Sequence, residues 1–397
     1  MPKILIENLT RLHHFDHQGN IFKKDNVHIL LGEDGTIDQI SEKPIDATHA
    51  QIINGEQLLG LPAFVDCHSH TLFAGNRSKE FEMKCQGKSY LEIAKQGGGI
   101  LSTQSATANA TNNELKELVL QRVQHFMSQG VYGLEIKTGY GLTHDQEIRH
   151  LTILQELKAQ LSTQFKIWVT YLGAHAVLPT TNKEKYIEEI CSTTIPHIAK
   201  NNLADFVDTF VDDGFFDVSD LKLIHAACKK HNLFVKAHID EIKNLGGADF
   251  AAKEKIVSVD HCRHTTHDQL SKLNASGVQV VFLPATSFYI NEGFVTMRDI
   301  RDTGVKPAIS LDYNPGSQPS LSWPLLLHLG MKKMGMTSDE VLYATTIAPL
   351  YALNEKTQNW CFEEGRKCKL TLFKASDISE IAYRYGENLC TKGVVSL

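Results

Sequence analysis

Short β-branched and apolar runs alternate along the chain with longer stretches of helical periodicity. Eight such runs follow the N-terminal segment: Phe64 to His70, Val131 to Lys137, Lys166 to Gly173, Asp205 to Val211, Leu233 to His238, Ile256 to His261, Val278 to Leu283 and Pro307 to Asp312. The stretch after Asn113 shows what separates them. There Leu115, Leu118, Val119, Val123, Phe126 and Met127 recur at helical spacing, while Lys116, Glu117, Gln121 and Arg122 take the other face. Eight strands alternating with helices predict an α/β fold, a (β/α)8 TIM-like barrel. The span from Leu61 to about Leu350 agrees with the roughly 250 residues, plus insertions, of such barrels. A doubly wound open sheet fits the same periodicity, because strand order is not legible in it.

The flanks read differently. Ile4 to Leu9, Val27 to Leu31 and Ile37 to Ile40 read as antiparallel strands, with a Gly32-Glu33-Asp34-Gly35 turn between the last two; Lys369 to Lys374 reads similarly. The expectation is one small discontinuous β-sandwich domain built from both chain ends. Its parts would be residues 1–61 and 351–397, with the barrel at 62–350 inserted between them.

The chemistry gathers at predicted strand ends. His68 and His70 stand two apart, so on a strand both imidazoles share a face and can bind one ion. His238 ends the fifth strand and Asp312 the eighth, and in a barrel those ends converge on one mouth. An isolated His-x-His is more often a surface pair; three imidazoles and a carboxylate on one mouth favour a single transition metal with an open water position. Glu241, three residues past His238, and His261, ending the sixth strand, lie where proton shuttles are needed. Their plain alternatives are a helix-capping carboxylate and a buried imidazole bonded to backbone.

Composition narrows the class. With 42% hydrophobic and 22% charged residues and a net charge of -6, the chain reads as an ordinary globular protein, without the basic stripe that nucleic acid requires. Glu7 and Asn8 break the first apolar run, and no later run reaches membrane-spanning length, so no membrane partner is expected. Its eight cysteines form no Cys-x-x-Cys pair, which points to a reducing, cytoplasmic setting.

Pro62-Ala63-Phe64-Val65-Asp66-Cys67-His68-Ser69-His70, followed by His238, Glu241, His261 and Asp312, resembles the amidohydrolase superfamily. Longer strings resemble the imidazolonepropionase family within it. They are Phe73-Ala74-Gly75-Asn76-Arg77, Gly87-Lys88-Ser89-Tyr90, Gly97 to Thr103, Glu135-Ile136-Lys137-Thr138-Gly139-Tyr140-Gly141-Leu142, and Asp312-Tyr313-Asn314-Pro315-Gly316-Ser317. The resemblance implies hydrolysis of 4-imidazolone-5-propanoate to N-formimidoyl-L-glutamate in histidine degradation. It implies His68, His70, His238 and Asp312 as ligands of one divalent or trivalent ion, zinc or iron, and Glu241, His261 and Asp312 as catalytic groups. Arg77, Tyr90 and Tyr140 match anchors for the propionate, and His175, Glu241, Asn314, Gly316 and Ser317 match further substrate contacts. Backbone N–H groups of the Asn314 to Ser317 loop are expected to serve the ring or the new carboxylate. A small-molecule substrate and a homodimer follow from the same resemblance.

Three departures stand out. Cys262-Arg263-His264-Thr265 is more basic than the family's usual text, the seventh strand ends Leu283-Pro284-Ala285-Thr286-Ser287, and Lys369 replaces a usual Asp. The last is expected to affect packing alone. A heterocycle deaminase shares the metal pattern, and Arg77 with Tyr140 argues against it, since a neutral base needs no anion clamp. A catalytically silent barrel used as an assembly module is the reading from another class, and a complete ligand set weighs against it.

Overall fold

The computed structural model describes residues 2–88 and 98–392. Five strands open the chain: β1 (Ile4–Phe15), β2 (Ile21–Leu31), β3 (Ile37–Ser41), β4 (Gln51–Asn54) and β5 (Leu59–Pro62). Eight more then alternate with helices: β6 (Phe64–Asp66), β7 (Val131–Lys137), β8 (Lys166–Ala174), β9 (Phe206–Val211), β10 (Phe234–Ile239), β11 (Ser258–His261), β12 (Gln279–Phe282) and β13 (Ala308–Ile309). β14 (Leu370–Phe373) and β15 (Cys390–Lys392) follow.

Strands β6 to β13 form one parallel sheet in sequence order. Its ends meet. A parallel bridge joins Ser69 to Tyr313, Asp312 N–H donates to His68 O at 3.0 Å, and His70 N–H to Tyr313 O at 2.9 Å. Sequential order plus this closure makes a (β/α)8 barrel and removes the doubly wound alternative. The first and eighth strands are shorter than their apolar runs predict, ending at Asp66 and Ile309. His68, His70 and Asp312 therefore lie on the segments just beyond, where side chains replace some ladder bonds: Ser310 Oγ accepts from Cys67 N–H at 2.8 Å, and Asp66 from the N–H groups of His68 and Leu311.

The helix at Asn112–Met127 starts on a Thr111/Glu114 capping box and buries Leu115, Val119, Val123 and Phe126. Arg122 departs from the polar face assigned to it. Its guanidinium sits 3.7 Å over the Phe73 ring and donates to the carbonyls of Thr71 and Phe73, bracing the segment after His70.

The two chain ends share a seven-stranded sheet. β1 runs longer than its first apolar stretch, pairing antiparallel with β2 and parallel with β4 and β5; those two were not legible because Gln51–Asn54 is polar and Leu59–Pro62 contains Gly and Pro. β14 closes on β5, so Ile6, Leu9, Val27 and Ile29 share one apolar cluster with Leu370 and Leu372. Lys369 works in packing, its ammonium 4.1 Å over the Trp360 ring and bonded to Asn359 O at 2.6 Å, with burial lowering its pKa to about 8.

Candidate active site

Period-two alternation along the barrel strands turns alternate residues inward, and here several of those are charged. Glu135 and Lys137 come from β7, Asp208 from β9, Lys236 and His238 from β10, and Asp260 from β11; all but His238 are fully buried. His68 Nδ1 donates to Asp260 Oδ2 at 2.8 Å, and His238 Nδ1 to Asp208 Oδ1 at 3.1 Å. Each imidazole is thereby held with its proton on Nδ1 and its Nε2 lone pair free.

Those lone pairs converge. Ligand atoms of His68, His238 and His261 lie within 4.8 Å of one another, as do those of His68, His70 and Asp312. His68 Nε2, His238 Nε2 and His70 Nδ1 are buried without a hydrogen-bond partner, whereas Asp312 Oδ1 stands 3.4 Å from His68 Nε2 and 3.5 Å from His70 Nε2. Buried orphan nitrogens are costly unless something fills the space between them, and a metal ion fits. Burial holds His68, His70 and His238 well below the ordinary imidazole pKa, with the Lys137 ammonium adding to the effect at His68 and His238; all three are neutral, as ligands must be. Burial also pushes Asp312 up to about 7, which a cation beside it would reverse. The acidic trio Asp208, His238 and Asp260 makes no second cation site, because the Lys137 ammonium occupies it.

Around the cluster lies a cavity of about 280 Å³, lined by Arg77, Tyr140, His175, Glu241, His261, Asn314, Gly316 and Ser317 among others. Glu241 Oε2 is 3.7 Å from His261 Nδ1. The turn carrying Glu241 is set by Asp212, whose carboxylate accepts the N–H groups of Glu241, Ile242 and Lys243. His261 and Asp312 both take left-handed backbone, φ +72° and +56°, a strained choice for these residue types of the kind that concentrates at functional sites. His175 stacks on His70 with ring centroids 5.4 Å apart and bonds Gly139 O through Nδ1 at 2.8 Å; burial lowers its pKa to about 4. Tyr140 packs edge-on to His175, and burial raises its pKa.

Arg77 is paired with Glu80 and still lines the cavity. The loop beyond Asp312 corrects one expectation. The N–H groups of Gly316 and Ser317 are already taken by Asn314 Oδ1, each at 2.8 Å, so they are committed to holding the loop instead of facing a ligand. Tyr90 lies outside the described residues.

Sequence reasoning missed Asp208, Lys137, Asp260, Asp212 and Lys84; Lys84 lines the cavity and reaches Gly316 O at 3.4 Å. Charged residues two apart inside a strand otherwise buried, as at Glu135 and Lys137, were the available signal. The departures from family text also touch the site. Arg263 Nε donates to Glu241 O at 2.8 Å, and Thr286 Oγ1 to Asp312 Oδ2 at 2.6 Å.

The chain is 37% identical over 93% of its length to imidazolonepropionase of Brevibacillus brevis, covering 87% of that protein. It belongs to the imidazolonepropionase family. The same name is carried by a relative from Idiomarina loihiensis, 34% identical over 96% of this chain and 94% of that one. No family model matches the chain. Among solved structures it is similar to N-isopropylammelide isopropylaminohydrolase of Burkholderia multivorans, with a TM-score of 0.72 at 15% identity over 100% of this chain and 98% of that one. It is also similar to 5-methylcytosine deaminase of Klebsiella pneumoniae, with a TM-score of 0.72 at 16% identity over 99% and 97%. Those likenesses establish the fold. Membership of the imidazolonepropionase family rests on the sequence relatives, and the strings at Arg77, Tyr140 and Asp312 to Ser317 border one cavity.

Proposed function

We propose that the chain hydrolyses the ring C–N bond of 4-imidazolone-5-propanoate to give N-formimidoyl-L-glutamate, using one transition metal ion, zinc or iron. One observation carries the reading. In a member of this family, neutral imidazoles converging on Asp312 and the cationic Arg77 line the same small cavity.

His68, His70, His238 and Asp312 would hold the ion. When bound, it supplies Lewis-acid activation of water and of the ring carbonyl at neutral pH. Arg77 binds the propionate, oriented by Glu80, while Tyr140 and His175 pack the ring region; Tyr90 is assigned to the same anchor by resemblance. Asn314, Gly316 and Ser317 shape the wall beside Arg77, where Ser317 Oγ accepts from Asn314 Nδ2 at 2.9 Å and donates to Asn314 Oδ1 at 3.2 Å. Asp312 accepts the proton of the attacking water as its oxygen joins the carbonyl carbon. Glu241 orients the ring, and the proton taken by Asp312 passes to the departing nitrogen, directly or through Glu241 or His261, as the C–N bond breaks, leaving a new carboxylate.

A cytoplasmic setting is supported by the burial of Cys67, Cys228, Cys262, Cys361 and Cys368 as thiols. Among the described residues no helix is long and apolar enough to cross a membrane. A homodimer is the assembly we assign by family, and sedimentation tests it.

The deciding experiment supplies metal-loaded protein with 4-imidazolone-5-propanoate and quantifies both N-formimidoyl-L-glutamate and ammonia. Formation of the former, lost in His68→Ala, is expected. Ammonia released from an amino-heterocycle, with no formimidoyl product, would move the chain to the deaminase reading.

A further inference from the structure

We infer that Lys137 is the positioning residue of the metal centre: its single ammonium clamps the two carboxylates that aim His68 and His238 at one point. The inference rests on the metal reading above. Lys137 Nζ lies 2.6 Å from Asp208 Oδ2 and 3.1 Å from both Asp260 Oδ2 and Glu135 Oε1, and every one of these side chains is fully buried. An ammonium has three protons in a tetrahedral fan, and here three carboxylate oxygens face it. Lys137 is thus saturated, with no proton left for substrate or ion.

Two of its partners reach the site. Asp260 Oδ2 accepts from His68 and Asp208 Oδ1 from His238, and both imidazoles then present an unpartnered Nε2. β6, β9, β10 and β11 each contribute to this arrangement or to the segment just beyond them, so Lys137 ties the aim of one imidazole to that of the other across the barrel. Without the ammonium, two buried carboxylates would face each other uncompensated, and each would rotate away from its imidazole. An imidazole whose carboxylate has swung away loses the acceptor that fixes its proton on Nδ1 and, with it, the aim of its free Nε2 lone pair.

Lys236 provides the contrast. It is equally buried, but its ammonium meets Glu135 Oε2 and Cys67 O and touches neither Asp208 nor Asp260. A purely structural role for buried lysines predicts the same outcome for both; positioning predicts different ones.

The test is zinc and cobalt affinity of the stripped full-length chain, measured by competition with a chromophoric chelator, alongside the visible spectrum of the cobalt form. Lys137→Gln is expected to weaken metal binding roughly 10- to 100-fold and to alter the cobalt spectrum, whereas Lys236→Gln leaves both unchanged even if it lowers thermal stability. Asp260→Asn should weaken binding similarly. The double variant Lys137→Gln/Asp260→Asn, which removes an unpaired carboxylate together with the ammonium, should bind no more weakly than the worse single variant. Should Lys137→Gln not fold, the double variant compared with Asp260→Asn decides: equal affinity supports the inference, and a further full loss overturns it. Unchanged affinity in Lys137→Gln, or equal losses in the two lysine variants, also overturns it. An unaltered chain that binds neither metal would instead sink the metal reading itself.

Discussion

Arg77 is locked by Glu80: its Nε and Nη2 both meet Glu80 Oε2, at 2.9 and 2.8 Å, while Glu80 Oε1 accepts the Gly99 N–H at 2.9 Å. One buried carboxylate therefore orients the cation expected to hold the propionate and ties it to the start of the helix at Ile100–Asn109. In Glu80→Gln the guanidinium loses that fork, so KM for 4-imidazolone-5-propanoate should rise on the order of tenfold with kcat little changed. Arg77→Gln should raise it further. A fall in kcat with unchanged KM in Glu80→Gln would place Arg77 away from the substrate.

Gly316 is where the far loop touches the same guanidinium. A Cβ there would lie 2.2 Å from Arg77 Nη1, so Gly316→Ala must push the cation aside. No left-handed backbone is required at this position, and the melting temperature should stay nearly constant while KM rises. Steady-state kinetics paired with a thermal melt separates the two effects.

Metal removal should carry a pH signature. Burial raises the Asp312 pKa from 3.8 to about 7 in the metal-free chain, so between those values the folded state binds more protons than the unfolded one. This group then weakens the stripped protein as pH rises through the window, while metal loading requires the same carboxylate ionised. The difference in melting temperature between loaded and stripped protein should accordingly grow from about pH 5 to about pH 7 and level off above it. Asp312→Asn should abolish the trend.

His150 acts in the opposite direction. It is fully buried with neither ring nitrogen hydrogen-bonded, and burial lowers its pKa from 6.5 to about 4. The unfolded chain takes up a proton that the folded one refuses, so stability present above pH 6.5 is lost as pH falls toward 4. At about pH 5 the term is on the order of 2 kcal/mol. His150→Leu should therefore show a smaller loss of denaturant midpoint between neutral pH and about pH 5 than the unaltered chain.

Much of this molecule was legible from local pattern. Apolar runs of period two separated by helical periodicity specify strand and helix by backbone geometry alone, which is why β7 is read residue for residue from Val131 to Lys137. The residue types at His68, His70, His238 and Asp312 state their chemistry without any neighbour, because imidazole and carboxylate are ligands wherever they stand. Other decisions belong to the tertiary structure. Closure of the barrel depends on β6 meeting β13 through Ser69 and Tyr313, a contact between residues far apart in the chain that no periodicity encodes. The occupancy of Lys137 by Asp208 and Asp260, the capture of Gly316 and Ser317 N–H groups by Asn314, and the turn of Arg122 from a polar face onto Phe73 are likewise choices of partner. The sequence determined which groups could ionise, donate or coordinate; burial and distance, which exist only once the strands have closed, decided which of them meet and in what charge state.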